Sequence, residues 1–220
     1  MTLPAPRTTT PSAINRHVRQ LIDKLVHNGR AQYVEVSPEP DAQINECFPN
    51  VSTKIARDGG RMLCGWQVWE WPHVMVEAEF HAVWRSPEGG MTDITPKSQG
   101  EKRILFVSDP RRAYEGTVVD NVRHAIRDDL LVHHLIKVSE AITRVMNRGA
   151  RATEYGYVSV PEHEIGPLVT ARDLIGTSLI LGRRDHDPCM CGSGSKYKRC
   201  HGRTWELALQ SSGERSPIFR

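Results

Sequence analysis

Four residues near the C-terminal end of the 220-residue sequence have the types and spacing of a zinc site: Cys189, Cys191, Cys200 and His201. Zinc takes thiolate and imidazole ligands in a tetrahedron, and a structural site leaves no position open. The segment DPCMCGSGSKYKRCHG supplies two ligands from each end. Gly192 and Gly194 let the backbone between the pairs turn tightly. Lys196, Lys198 and Arg199 would offset the excess negative charge of three thiolates on a dication. The expectation is one structural Zn2+ ion.

A second set of chemistry-bearing residues is Cys47, His81 and Asp93. A thiolate nucleophile needs a lowered pKa, which a helix N-terminus and a nearby imidazole provide. The imidazole in turn needs a carboxylate to fix its tautomer. Cys47 opens a predicted helix, His81 lies in a predicted strand and Asp93 in the next one. If the hairpin pivots near Pro87, His81 faces Asp93 with Cβ atoms roughly 4.5–5.5 Å apart. A one-residue slip would put the two on opposite faces. Glu77 and Glu79 share the face of His81. Trp66, Trp69, Trp71 and Trp84 fall in or beside the same sheet, to line a cleft or to fill the core. Cys64, between apolar neighbours, reads as core.

The elements that must position these residues are legible from periodicity. Ile14, Val18, Leu21, Ile22 and Leu25 recur at helical spacing and stop near Asn28-Gly29. A short helix runs from Cys47 to Gly59-Gly60. Residues 61–107 are strand-like, and Val74, Val76, Ala78, Phe80, Ala82 and Trp84 alternate with Met75, Glu77, Glu79, His81 and Val83. A long helix is predicted over 117–147, with Leu131, Leu135, Val138, Ile142 and Val145 as its apolar stripe. His124, His133 and His134 on that helix show no metal-like pairing and read as surface. Glycines and prolines between 156 and 182 predict a connector with only short elements. The domain expectation is therefore a disordered arm (1–12), an α+β core (13–150), a connector (151–187), a zinc motif (188–204) and a tail (205–220).

Composition excludes some classes. Hydrophobic residues at 39% and charged residues at 25% suit an ordinary globular chain, and a net charge of +3 is too small to argue for nucleic acid by itself. No stretch approaches the roughly 20 apolar residues of a membrane span. The N-terminus lacks the apolar run of a secretory signal, and five cysteines do not make a secreted disulfide framework. The expected compartment is the cytoplasm.

Two resemblances follow from these residues. The C-terminal segment closely resembles the SEC-C motif, whose pattern is C-x-C, eight residues, then C-C or C-H, with G-S-G and a Lys/Tyr/Lys cluster between. Gly192, Ser193, Gly194, Lys196, Tyr197 and Lys198 all fit it. That resemblance implies a docking element for a chaperone or the ribosome. Residues 43–96 resemble the transglutaminase-like and papain-like cysteine enzymes, in which a Cys-bearing helix precedes a His strand and an Asp or Asn strand. His81-Ala82-Val83-Trp84 and Asp93-Ile94-Thr95-Pro96 stand where that family shows His-Ala-Trp and Asp-Pro-Thr. Gln43 stands where papain-like enzymes place an oxyanion donor. The fold implied is an antiparallel sheet with the Cys-bearing helix packed on it, then the long helix and a small zinc tail.

Two functional expectations result. The first is a cysteine-dependent acyl transfer on an amide (peptidase, amidase or transglutaminase-like), with Cys47 attacking, His81 moving the proton, Asp93 orienting it and Gln43 holding the oxyanion. The second is a non-catalytic adaptor, or a chaperone- or ribosome-associated protein, that binds through the zinc motif. Arg183, Arg184, Lys196, Lys198, Arg199 and Arg203, set against Asp185 and Asp187, suit an acidic protein face or RNA, and equally a solvated charged tail.

Overall fold

The computed structural model describes residues 8–149, 151 and 158–205. The first seven positions of the expected arm and the expected tail beyond 205 lie outside the described residues. Two compact units emerge, one spanning Arg7–Ile126 and the other running from Arg127 through the zinc motif.

In the first unit, α1 (Arg16–Leu25) starts at Asn15, whose side-chain oxygen accepts from the backbone N–H groups of His17 and Val18. β1 (Ala31–Val36) follows, then α2 (Cys47–Asp58), which ends on Gly59 at φ 72°. β2 (Arg61–Trp71) and β3 (Met75–Arg85) form a long antiparallel hairpin, and β4 (Met91–Asp93), β5 (Arg103–Ser108) and β6 (Val122–Ala125) complete the sheet. The strand order is β2-β5-β1-β4-β3-β6, and β2 also pairs with β3. That extra pairing closes five strands into a barrel, with β6 added on the outside of β3.

This closure corrects the expected fold. An open sheet with a Cys-bearing helix, as in a papain-like or transglutaminase-like core, has free edges; here β5 pairs β2 and β1, and β1 runs parallel to β4. Alternation along β3 reveals a strand but says nothing of which strands complete the ring. Val83 packs with Val34, Val36, Ile104 and Phe106, on strands that β3 does not pair with, so this face of β3 looks into the barrel. The opposite face carries Val76, Ala78 and Phe80, which bury Val18, Leu21 and Ile22 of α1. Cys47 and Val51 of α2 pack on Ala82 and Ile94.

Of the expected arm, Thr9 pairs with Glu70 and the Thr10 hydroxyl donates to the Arg103 carbonyl at 2.9 Å. The long helix starts later than predicted. α3 spans Leu130–Met146, capped by Asp129, whose carboxylate accepts from Leu131 N–H at 3.0 Å. Residues 122–125 instead find backbone partners on β3. In place of a connector, α4 (Glu162–Ile180) is a 19-residue helix containing Pro167. Burial of Ala171, Ile175 and Leu179 outweighs the low helix propensity of its glycines and proline. No helix among the described residues is long and apolar enough to cross a membrane.

Barrel closure makes a steric demand at Gly65. A Cβ on Gly65 would lie 2.2 Å from the Val107 carbonyl oxygen and 2.7 Å from the Phe106 ring, where β2 meets β5. Gly65→Ala is expected to destabilise the barrel by about 2 kcal/mol or more. Chemical denaturation read through tryptophan emission checks this, with the zinc content of the folded protein unchanged.

Candidate metal centre

The metal centre is built on very little secondary structure. Pro188 bridges Lys196, Cys189 N–H donates to the Ser195 carbonyl at 2.7 Å, and Gly192 N–H to the Cys189 carbonyl at 3.2 Å. Gly192 and Gly194 take φ of 78° and 73°, where a side chain is penalised. A single 3-10 turn, Tyr197–Arg199, then delivers Cys200 and His201. The turn is held from behind, because the Asp187 and Asp185 carbonyls accept from Tyr197 N–H and Lys198 N–H, each at 2.9 Å.

These constraints bring the four expected ligands together. Cys189 Sγ lies 3.3 Å and Cys200 Sγ 3.5 Å from His201 Nδ1, and Cys191 Sγ lies 3.5 Å from Cys200 Sγ. All four donor atoms fall within 4.8 Å of one another. An ideal tetrahedron with Zn–S bonds of about 2.3 Å has edges of about 3.8 Å, so the set fits one zinc ion with little adjustment. Three thiolates and one imidazole are also the donors zinc prefers over hard cations. The Ser193 hydroxyl and N–H, with Cys200, pull the Cys191 thiol down to about 6. Burial pushes Cys189 up, against backbone N–H groups that favour its thiolate.

Residues 187–203 match the SEC-C motif. The chain is also similar to protein translocase subunit SecA of Acidovorax sp. (strain JS42), at 29% identity over 102 residues, covering 42% of this chain and 11% of that protein. With SecA of Ralstonia nicotianae (strain ATCC BAA-1114 / GMI1000) the identity is 48% over 44 residues, 20% of this chain and 4% of that one. The chain thus spans about a tenth or less of the length of these curated relatives. No solved structure matches it.

The SEC-C motif is bolted to the helices before it. Tyr197 is buried, and its hydroxyl is hydrogen-bonded to Nδ1 of His134 on α3 at 2.9 Å. His134 is 0% exposed, so its reading as a surface residue is corrected. It falls within the apolar stripe of α3, three residues after Leu131 and four before Val138, and that position is the available signal. Gly202 makes room for the anchor, since a Cβ there would lie 2.9 Å from the Tyr197 carbonyl oxygen and 3.1 Å from its ring. Arg183 donates to the Pro188 carbonyl at 3.0 Å. His133 bonds Asp128 at 2.9 Å, while His124 lies on β6 rather than on a helix.

The second expected set is also located. His81 Nε2 and Asp93 Oδ2 are 3.0 Å apart, with 3% and 0% exposure. The hairpin register differs from the expected one: Trp84 faces Thr92 and Arg85 faces Met91, a shift of two positions. Two positions preserve the face, so the residues meet diagonally rather than directly. Cys47 lines the same small cavity as His81. Gln43 does not line it; its amide donates to the Asp41 carbonyl at 3.2 Å. Sequence reasoning missed Lys97, whose Nζ lies 2.6 Å from Asp93 Oδ2, 2.9 Å from Gln67 Oε1 and 3.3 Å from His81 Nε2. Lys97 sits four residues after Asp93 in an irregular turn, where no periodicity marks it.

A cysteine-dependent acyl-transfer enzyme is therefore not the reading this chain supports. The barrel replaces the fold on which that resemblance depended, and the cavity of about 50 Å³ is far too small for a peptide chain. What the fold positions for chemistry is the SEC-C cluster. Trp66 is core, packed edge-on to Phe80 and hydrogen-bonded to Asp109 at 3.3 Å.

Two outcomes follow. Burial opposes charge on His81, but Asp93 and Cys47 outweigh it and the repulsion of Lys97, raising its pKa from 6.5 to about 9. A folded pKa above the unfolded one gives stability that is complete below pH 6.5 and lost as pH rises through 9. Asp93 is lowered from 3.8, because His81 and Lys97 overcome its desolvation, so its share is lost on the acid side. The denaturation midpoint of the barrel should fall between pH 6.5 and 9, and His81→Gln should flatten that limb. Separately, zinc removal should loosen the Tyr197 anchor, because metal binding energy in so short a motif is folding energy. Amide hydrogen exchange should rise across residues 187–203 on chelation and recover with one equivalent of zinc.

Proposed function

We propose that this chain is a non-catalytic interaction protein that docks, through its zinc-held SEC-C motif, onto an acidic face of a protein partner. The observation that carries this reading is the combination of a closed cluster of three cysteines and one histidine with a rigid anchor and an exposed basic face. Lys196, Lys198, Arg199 and Arg203 are all exposed around the cluster, and Arg184 is exposed just before it. A structural zinc site leaves no open position for catalysis and supplies shape instead. Clustered cations on a fixed frame steer and select an anionic surface. The similarity to part of SecA, a protein translocase subunit, supports a partner in protein traffic, a chaperone or the ribosome. Three thiolate ligands need a reducing compartment, so we assign the protein to the cytoplasm.

The test is affinity capture on the immobilised, zinc-loaded chain from extract with and without nuclease treatment. Lys198→Glu combined with Arg199→Glu should reduce retention of the specific partner at least tenfold with zinc content unchanged. Cys200→Ala should abolish it, and Cys47→Ala should leave it intact. Equal retention by the charge-reversed protein would overturn the reading, and loss on nuclease treatment would point to RNA instead.

A further inference from the structure

Of the five cysteines, only Cys191 is exposed. Cys189 is buried and Cys200 half-buried, so the cluster offers one sulfur to solvent and screens the other two. The chain around that sulfur is open. Residues 191–196 are all exposed, and a Cβ on Gly192 or Gly194 would meet nothing within 4 Å. A thiol that coordinates zinc is deprotonated, and the thiolate is the form that attacks an electrophile. Oxidation of cysteine follows thiolate character and exposure together, and Cys191 is the ligand that has both.

A second thiolate stands ready to resolve the oxidised sulfur. Cys200 Sγ lies 3.5 Å from Cys191 Sγ, so a disulfide of about 2.05 Å needs the two to close by roughly 1.5 Å. Cys189 is the poorer partner. Its Sγ is turned to His201 Nδ1 at 3.3 Å, its N–H donates to Ser195, and its carbonyl accepts from Gly192. A bridge from Cys189 to Cys191 would also have to close across Met190 alone, which strains the bond.

We propose that Cys191 is a site of reversible oxidation by a hydroperoxide, and that the Cys191–Cys200 disulfide that follows unloads zinc from the SEC-C motif. The Cys191 thiolate attacks one peroxide oxygen. An S–O bond forms, the O–O bond breaks, and hydroxide departs from a sulfenic acid. The Cys200 thiolate then attacks the Cys191 sulfur, forming the S–S bond and expelling a second hydroxide. Two electrons pass from the sulfurs to the peroxide, and two protons from solvent turn both hydroxides into water. Cys189 and His201 are then two ligands where a structural site needs four, so the metal is released. Two equivalents of a small thiol reverse the step by exchange and leave as their own disulfide. Loss of docking on oxidation rests on the function proposed above; the oxidation and the zinc release do not.

The test adds a few equivalents of hydrogen peroxide to the full, zinc-loaded chain and follows released zinc with a chromogenic chelator, against the same chelator without peroxide. One zinc should leave per disulfide formed, and mass spectrometry should map that bond to Cys191 and Cys200. Dithiothreitol with added zinc should restore the loaded protein. A cyclic diketone that traps sulfenic acids should mark Cys191 before any other cysteine. Cys191→His keeps four zinc-compatible ligands and should slow peroxide-driven release at least tenfold. Release no faster than without peroxide, a bond or first adduct at Cys189, or a Cys191→His chain as sensitive as the native one would overturn the proposal. The diketone and the bond map use the native chain, so they decide the matter even if Cys191→His fails to load zinc. Full partner retention by a chain shown to be oxidised and zinc-free would overturn the docking reading and leave the oxidation site standing.

Discussion

The barrel depends on how it neutralises Asp93. This carboxylate is fully buried, and an unpaired charge there would cost several kcal/mol. Its Oδ2 takes His81 from β3 and Lys97 from the turn after β4, and its Oδ1 accepts from Thr95 N–H at 3.0 Å. Lys97 extends the network to Gln67 on β2. One buried anion thus ties three strands and a turn together at the polar end of the barrel. Beside this network Val34, Val36, Val83, Ile104 and Phe106 fill the interior with apolar side chains, Val36 opposite Asp93 and Phe106 opposite Gln67. Both groups constrain register, because slipping β3 by one residue would exchange His81 and Val83 for Phe80 and Ala82 on the inner face.

That network also explains why the sequence invites a catalytic reading. A histidine and an aspartate on neighbouring strands, with a cysteine at a nearby helix start, satisfy the spacing of a nucleophile site. The same spacing arises whenever a buried carboxylate is paired with an imidazole across a hairpin. Lys97 distinguishes the two cases. An ammonium 2.6 Å from the carboxylate competes with His81 for it and adds repulsion to the imidazolium. A triad aspartate serves one histidine, whereas this one is shared.

Elements set by local pattern are legible in the sequence: the α1 stripe, α2 from Cys47 to the Gly59 stop, and the alternation along β3. The parity that puts His81 and Asp93 on one face is legible too, although the observed register lies two positions from the expected one. Barrel closure is not, because it depends on which distant strands pair, and β1 meets β4 and β5 across long stretches of chain. α4 is hidden by Gly166, Pro167 and Gly176, whose local cost is repaid only by packing against α3. The four zinc ligands are the most legible feature of all, since a metal fixes residue types at fixed spacing irrespective of the surrounding fold.

The zinc motif shows how so short a segment can present an ordered cationic face. Its internal order is carried almost wholly by backbone groups, by the cluster of three cysteines and one histidine, and by Tyr197. Lys198 and Arg199 hold the 3-10 turn through their N–H groups, to the Asp185 and Lys196 carbonyls. Their side chains do no such work and project as exposed cations. A segment that used those side chains for its own folding would have no charge left to offer a partner. Separating the two roles also separates their chemistry: losing a ligand removes the frame, while reversing a charge leaves the frame and removes the complementarity. A surface built this way can change its charge pattern by substitution alone, without any change in the metal centre that supports it.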